Sequence, residues 1–160
     1  MHLTALIHIF KPMPKHQSAA AHLLSPDDVE AAFYEALQTG DIEKLMACWA
    51  DEDEIVCVHP GGPRLVGASQ IRSSFEAMFA NGTIGAWPER LHSVQSLGAC
   101  VHSLVERLDI LTADGPAQAY VVATNVYHQG PQGWRMVVHH ASPGTAVEAQ
   151  PRAGGPAVLH

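Results

Sequence analysis

The chain has 160 residues, of which 47% are hydrophobic and 16% are charged. This balance is typical of a single folded domain, because roughly 100–200 residues are enough to enclose one core. Sixteen acidic residues outnumber nine basic ones, which gives a net charge of −7. The sequence has no cluster of Lys and Arg that could neutralise a run of phosphates, so we do not expect the protein to bind nucleic acid.

The three cysteines are Cys48, Cys57 and Cys100. They are odd in number and lack the short paired spacing of a zinc site or a disulfide framework, so we expect reduced, buried thiols in a cytoplasmic protein. No stretch approaches the ~18–20 uninterrupted apolar residues of a membrane-spanning helix, and the histidine-interrupted start makes a poor signal peptide. No membrane partner is expected.

Both ends of the chain look peripheral to the domain. Residues 1–24 predict a flexible N-terminal extension and residues 145–160 predict a disordered C-terminal tail, which leaves a domain over 25–144. Within it, Ser25 and Pro26 begin a helix that ends at Gly40, and Asp41 can cap a second helix. These two helices form a hairpin.

The rest of the domain alternates short and long elements. Residues 54–59 and 64–66 predict strands on either side of a Pro-Gly-Gly-Pro turn, and a third helix runs from Ser69 to about Ala80. Four β segments follow, separated by glycine-containing turns: 90–97, 100–111, 117–129 and 134–142. The three helices come before the last four strands, which form an antiparallel meander. This order predicts the α+β class, because one face of the sheet must be covered and the helices that precede the meander can cover it.

Several short motifs carry a family resemblance. They are Phe33-Tyr34, Gly40-Asp41, Trp49, His59-Pro60-Gly61-Gly62 and the closing segment from Trp134 to Ser142. The chain resembles the nuclear transport factor 2-like superfamily, and its Gly-Asp-x-x-x-Leu and Trp…His-x-Ser patterns resemble the SnoaL-like, ketosteroid isomerase-like branch. The resemblance implies a cone-shaped, cystatin-like fold with three N-terminal helices on a curved, mostly antiparallel sheet. It also implies a pocket for a small apolar ligand, and homodimers that pair through the outer sheet face.

Isomerases, polyketide cyclases and dehydratases belong to this branch, so we expect cofactor-free proton transfer on an apolar carbonyl compound. Asp53 in an acidic loop and Glu106 in mid-strand are the two candidate bases. An inward carboxyl at position 106 would lie between leucines, and burial would raise its pKa. The alternatives are a solvated loop for Asp53 and an intersubunit ion pair on the outer face for Glu106.

The last predicted hairpin offers groups that could bind a carbonyl oxygen. If it is regular, Asn125, Tyr127 and His139 share one face, while Met136 lies on the other face with His140. A bulge would exchange part of this assignment. Amide, phenol and imidazole groups can orient and polarise a carbonyl, and His139 would act in catalysis. The alternative is a satisfied polar layer inside the sheet.

Two further residues complete the candidate ligand-binding set. His59 lies where a strand meets a turn, at the expected rim, and could instead bond to turn amides. Trp87 is expected in a connection over the cavity mouth. Five of the eleven histidines are close to the termini, so we expect no metal site and no cofactor. A non-catalytic ligand-binding or structural dimerisation module is the alternative function.

Overall fold

The computed structural model describes residues 23–150, and its order of elements is the predicted one: helix, helix, strand, strand, helix and four strands. The α+β class is therefore confirmed. None of the helices in this range is long and apolar enough to cross a membrane. The elements are α1 (Pro26–Thr39), α2 (Ile42–Ala47), β1 (Val56–Val58), β2 (Arg64–Val66), α3 (Ala68–Phe79), β3 (Ala86–Gln95), β4 (Ala99–Thr112), β5 (Gly115–Gly130) and β6 (Gly133–Pro143).

Capping residues set the bounds of the first two helices. The Ser25 side chain accepts a hydrogen bond from the Asp28 amide at 3.1 Å, which satisfies one of the free amides of the first turn. Gly40 ends α1 with a positive φ of 68°. Asp41 then caps α2 by accepting from the Lys44 amide at 3.0 Å. The two helices therefore follow one another directly, as the sequence predicts.

One six-stranded sheet carries the helices, with the strand order β2-β1-β6-β5-β4-β3. All neighbouring strands are antiparallel except β1 and β6, which run parallel. Phe33 of α1 and Phe75 of α3 pack in the same buried core as sheet residues such as Ala123 and Met136. The core therefore lies between the helices and the inner face of the sheet, and this interface contains the candidate site.

A β-bulge in β6 changes which side chains face this core. Tyr127 pairs with Met136, whereas Val126 pairs with Val138 and Asn125 with His139, so Val137 is the extra residue. The regular-hairpin prediction was therefore wrong for Met136, which lies on the Tyr127 face and is fully buried. His139 keeps its predicted place beside Asn125.

Residues 145–150, the described part of the predicted C-terminal tail, take part in several hydrogen bonds. The amide and hydroxyl of Thr145 both donate to Glu148 at 2.6 Å, and Arg90 donates to the Gln150 carbonyl at 2.8 Å. The remaining predicted tail, 151–160, and most of the predicted extension, 1–22, lie outside the described residues.

The β5–β6 turn provides a test of backbone strain. Gly133 has a φ of +90°, and an added Cβ would lie 2.9 Å from the Leu23 carbonyl oxygen. We expect Gly133→Ala to lower the free energy of unfolding by about 1–3 kcal/mol, measured by urea denaturation. Gly130→Ala is the matched control, because a Cβ there meets no atom within 4 Å. Equal effects of the two changes would contradict this explanation.

Candidate functional site

Glu106 lies on the inner face of β4 and is only 6% exposed. The Tyr34 hydroxyl, from α1, donates a hydrogen bond to Glu106 Oε1 at 2.7 Å. Burial raises the pKa of Glu106 to about 7, although the Tyr34 hydrogen bond acts in the opposite direction. This inward position excludes the alternative of an intersubunit ion pair on the outer face.

Three further hydrogen-bonding groups complete a chain that ends at Glu106. His139 Nδ1 lies 2.6 Å from Asn125 Oδ1, and because an amide oxygen only accepts, the imidazole N–H donates. Asn125 Nδ2 in turn donates to the Tyr34 hydroxyl at 3.2 Å. Every donor in this chain therefore points toward the Glu106 carboxyl. We call these residues, Tyr34, Glu106, Asn125 and His139, the buried acid cluster.

His139 closes the cluster from the other side. Its Nε2 lies 3.8 Å from Glu106 Oε1, which is beyond hydrogen-bond distance. Because Nδ1 carries the proton, Nε2 presents a lone pair to the carboxyl. Burial lowers the pKa of His139 to about 3, so the imidazole is neutral at physiological pH. The Phe33 ring lies 5.1 Å away and covers the imidazole. The Glu106 carboxyl and the His139 imidazole thus lie side by side in the buried core, where burial favours the neutral form of each.

A second polar group lies beside the cluster. Glu30 accepts a hydrogen bond from the Tyr127 hydroxyl at 3.2 Å and bonds directly to His102 Nδ1. Glu30, His102 and Tyr127 are all buried. Tyr127 therefore lies on the predicted face, but its hydroxyl contacts Glu30. Burial also raises the pKa of Tyr127 well above its usual value, so it remains a donor. We call Glu30 and His102 the buried Glu–His pair.

Sequence reasoning missed Glu30, Tyr34 and His102 as site residues. A signal for them was present: Glu30 and Tyr34 are four residues apart and so share a helix face. His102 and Glu106, an even number apart, share a strand face. The apolar stripe of α1 accounts for the helix without Glu30 and Tyr34, so the periodicity alone does not single these two residues out.

His59 lies near the cluster but does not bond to turn amides. Its Nε2 is 3.0 Å from Ser74 Oγ on α3, and its ring packs edge-on against Phe75 with ring centres 4.9 Å apart. The imidazole is half-buried, and burial lowers its pKa. Because Ser74 donates to the Ile71 carbonyl, the His59 N–H donates to the serine oxygen. His59 thus links β1 to α3 at one side of the core.

Two predicted site residues lie away from the buried acid cluster. Asp53 is exposed in a turn before β1, so the structure does not bring this candidate base to the cluster. Trp87 lies within β3, opposite Arg107, on the outer sheet face and not in a connection over the core. It is 41% exposed, and its indole donates to Asp109 at 2.9 Å. Asp53 is exposed because a charged loop residue is stabilised by water. Trp87 lies on the outer face because it pairs there with Arg107 on the neighbouring strand.

Among the clefts on the described surface are two that are lined by neither Glu106 nor His139. One, of about 330 Å³, adjoins the β5–β6 turn and includes Asp51 and His128. The other, of about 500 Å³, includes Trp49 and Arg72. The buried Trp49 indole nitrogen has no hydrogen-bond partner within residues 23–150.

Comparison with known proteins places this architecture in a family. The SnoaL-like domain matches residues 27–146, which is most of the domain predicted from the sequence. The chain belongs to the SnoaL-like family. No curated protein matches it. Over residues 23–150, no group of three or more His, Cys, Asp or Glu side chains is arranged to hold a metal ion.

Solved structures extend this comparison of the SnoaL-like chain. A proposed calcium/calmodulin-dependent protein kinase type II association domain from Thiobacillus denitrificans is 32% identical, with TM-score 0.70, over 77% of this chain and 98% of that one. A proposed dehydratase of the nuclear transport factor 2-like family from Streptomyces avermitilis is 30% identical, with TM-score 0.64, over 72% and 91%. An uncharacterized Caulobacter vibrioides protein with a cystatin-like fold is 16% identical, with TM-score 0.66, over 77% and 89%. The predicted cystatin-like fold and superfamily are confirmed.

The pKa shifts of the cluster predict a pH-dependent stability. A carboxyl with a raised folded-state pKa stabilises the fold at low pH, and this stabilisation is lost as pH rises through about 7. We therefore expect the stability of the wild type relative to Glu106→Gln to fall by at most about 3 kcal/mol between pH 4.5 and 7.5. Chemical denaturation at a series of pH values measures this difference.

His139 supplies the control with the opposite sign. Its lowered pKa means that stability is complete above pH 6.5 and is lost as pH falls toward 3. The wild type should therefore gain stability relative to His139→Asn as pH rises. Parallel slopes for the Glu106 and His139 variants would contradict the assignment of these two shifts.

Proposed function

We propose that this protein catalyses cofactor-free proton transfer on a small apolar carbonyl compound, with Glu106 as the general base. The observation that carries the proposal is the Glu106 carboxyl, buried, hydrogen-bonded by Tyr34, with a pKa raised to about 7. A base with a pKa near the working pH is present in its ionised form and still accepts a proton readily. Such a carboxylate suits the abstraction of a proton next to a carbonyl.

Tyr34 supplies the complementary donor in this proposal. Its pKa is raised well above the usual value, chiefly by burial, so the phenol keeps its proton. When Glu106 accepts a proton from carbon it becomes neutral and a weaker acceptor. The Tyr34 hydroxyl then interacts more favourably with the enolate oxygen that develops on the substrate. Asn125 supports this by donating to the Tyr34 oxygen.

Isomerisation, cyclisation and dehydration can all begin with this proton abstraction. An enolate that is reprotonated at another carbon gives an isomer, and one that expels a β-hydroxyl group gives a dehydration product. The similarity to a proposed dehydratase supports the second outcome as one member of the class. Which reaction follows depends on the substrate, and the shared first step is the one that these residues can perform.

Deuterium exchange tests that first step directly. With cyclohexanone in D₂O, followed by proton NMR, we expect the protein to accelerate exchange at the α-carbon over buffer alone. Glu106→Gln should reduce the rate by about 100-fold or more, and Tyr34→Phe by about 10–100-fold. The rate should rise with pH through about 7 as Glu106 ionises.

Glu89→Gln is the matched control, because Glu89 is a strand carboxylate that bonds to Arg107 on the outer face. It should leave the exchange rate unchanged. If the wild type exchanges no faster than buffer, the proton-transfer function is rejected. Ketone binding without exchange would favour the alternative, a non-catalytic ligand-binding module.

We also propose that the chain forms a homodimer through the outer sheet face. The centre of this face carries Ser103, Thr124 and His140 side by side on three adjacent strands, flanked by partly exposed valines. We expect Thr124→Arg to convert the dimer to a monomer in sedimentation velocity experiments, because it inserts a charge at the centre of the contact. A monomeric wild type would contradict the proposal.

A further inference from the structure

The cleft between α2 and α3 is not lined by any residue of the buried acid cluster. Its volume is about 500 Å³, within the range of roughly 300–1,000 Å³ that is typical of small-molecule sites. Its walls come from three segments of the chain. They are the end of α2 with Met46, the loop from Trp49 to Asp51, and the start of α3 with Ala68, Ser69 and Arg72. We call it the α2–α3 cleft.

A helix N-terminus forms one wall of this cleft. Ala68 and Ser69 are the first two residues of α3, so their amides have no acceptor within the helix. Gly67 occupies the N-cap position, and no described side chain caps the helix. The first turn also contains no acidic residue, so no carboxylate there balances the partial positive charge of the helix end. Such an end favours a bound carboxylate.

The Trp49 indole supplies a second donor, independent of the helix. Its side chain is only 4% exposed and forms part of the cleft wall. No described residue accepts a hydrogen bond from its Nε1. A buried N–H without an acceptor is destabilising, and native proteins nearly always satisfy such groups. A ligand oxygen bound in the cleft would supply the missing acceptor.

The charges around the cleft distinguish a simple anion from a zwitterion. Arg72 lies one turn beyond Ala68, but it donates from Nε to Glu76 at 2.7 Å and from Nη2 to Glu43. These two carboxylates already balance the guanidinium charge. Asp51 adds an exposed negative charge on the loop wall. A ligand with only a carboxylate would therefore be repelled, whereas an ammonium group beside the carboxylate would be attracted to Asp51.

We propose that the α2–α3 cleft binds a free α-amino acid with an apolar side chain. The carboxylate of the amino acid accepts from the Ser69 amide and the Trp49 indole, and the ammonium group binds Asp51. Met46 and Ala50 provide apolar surface for the ligand side chain. This site does not depend on the proposed function, because no residue of the buried acid cluster takes part in it.

Titration of the nitrogen-15-labelled full chain with L-leucine, followed by two-dimensional NMR, tests this site. We expect the Trp49 indole signal to move downfield and to saturate with a Kd of about 1 mM or below, and the Ser69 amide to follow the same curve. Trp49→Phe assigns the indole signal by its absence. The Trp87 indole, which donates to Asp109 on the outer sheet face, is the internal control and should not move.

Two leucine analogues test the two ends of the ligand separately. Isocaproate lacks the ammonium group and isoamylamine lacks the carboxylate, so each should bind at least about 10-fold more weakly than L-leucine. Asp51→Asn should weaken leucine binding by about 10-fold without weakening isocaproate binding. Glu52→Gln is the matched control, because Glu52 is the next carboxylate of the loop but does not line the cleft. It should leave the leucine affinity unchanged.

The wild-type titration can overturn the proposal without any variant. Signals of Trp49 and Ser69 that do not move saturably with L-leucine up to about 20 mM would do so. Isocaproate binding as tight as that of leucine, or equal effects of Asp51→Asn and Glu52→Gln, would also overturn it. No ketone is present in these titrations, so their outcome is separate from the test of proton transfer.

Discussion

A single carboxyl group, that of Glu106, constrains how α1 can lie on the sheet. A buried carboxyl without hydrogen bonds would be strongly destabilising, so the helix must present Tyr34 to it at bonding distance. Tyr34 in turn accepts from Asn125, which accepts from His139. The hydrogen-bonded series from His139 to Glu106 therefore requires both the position of α1 and the pairing of β4, β5 and β6.

The interior contains two glutamate–histidine pairs in different arrangements. In one, Glu30 bonds directly to His102, and an exposed carboxylate lies beyond the imidazole. In the other, Glu106 and His139 are 3.8 Å apart and burial moves their pKa values in opposite directions. The same residue types therefore form a directly bonded pair in one place and a pair beyond hydrogen-bond distance in the other. This difference comes from the surroundings, because only the first pair has a solvated partner.

The order of the elements could be predicted because local residues mark their ends. Ser25, Gly40 and Asp41 cap helices, and glycine-rich turns separate the strands. The inward direction of Glu106 was harder to predict, since alternation along a strand defines two faces without saying which one the helices cover. The β6 bulge lies in a Met-Val-Val-His-His run with no glycine to mark it, so its position was not predictable from local sequence. Asp53 does lie in the predicted acidic loop, but the loop is solvated, and Trp87 lies in a strand and not in a connection. Acidic loops and aromatic residues are also common on solvated surfaces, so neither pattern identifies a site by itself.

The parallel pairing of β1 with β6 affects how the protein is made. Val56 pairs with Val138, so this contact joins segments separated by most of the domain. Forming it closes a long loop, which is a slow step in folding. The same pairing sets Cys57 beside His139, one of the last residues of the domain to leave the ribosome. The helices and the first hairpins can therefore assemble during synthesis, but the buried acid cluster is completed only after the final strand has been translated.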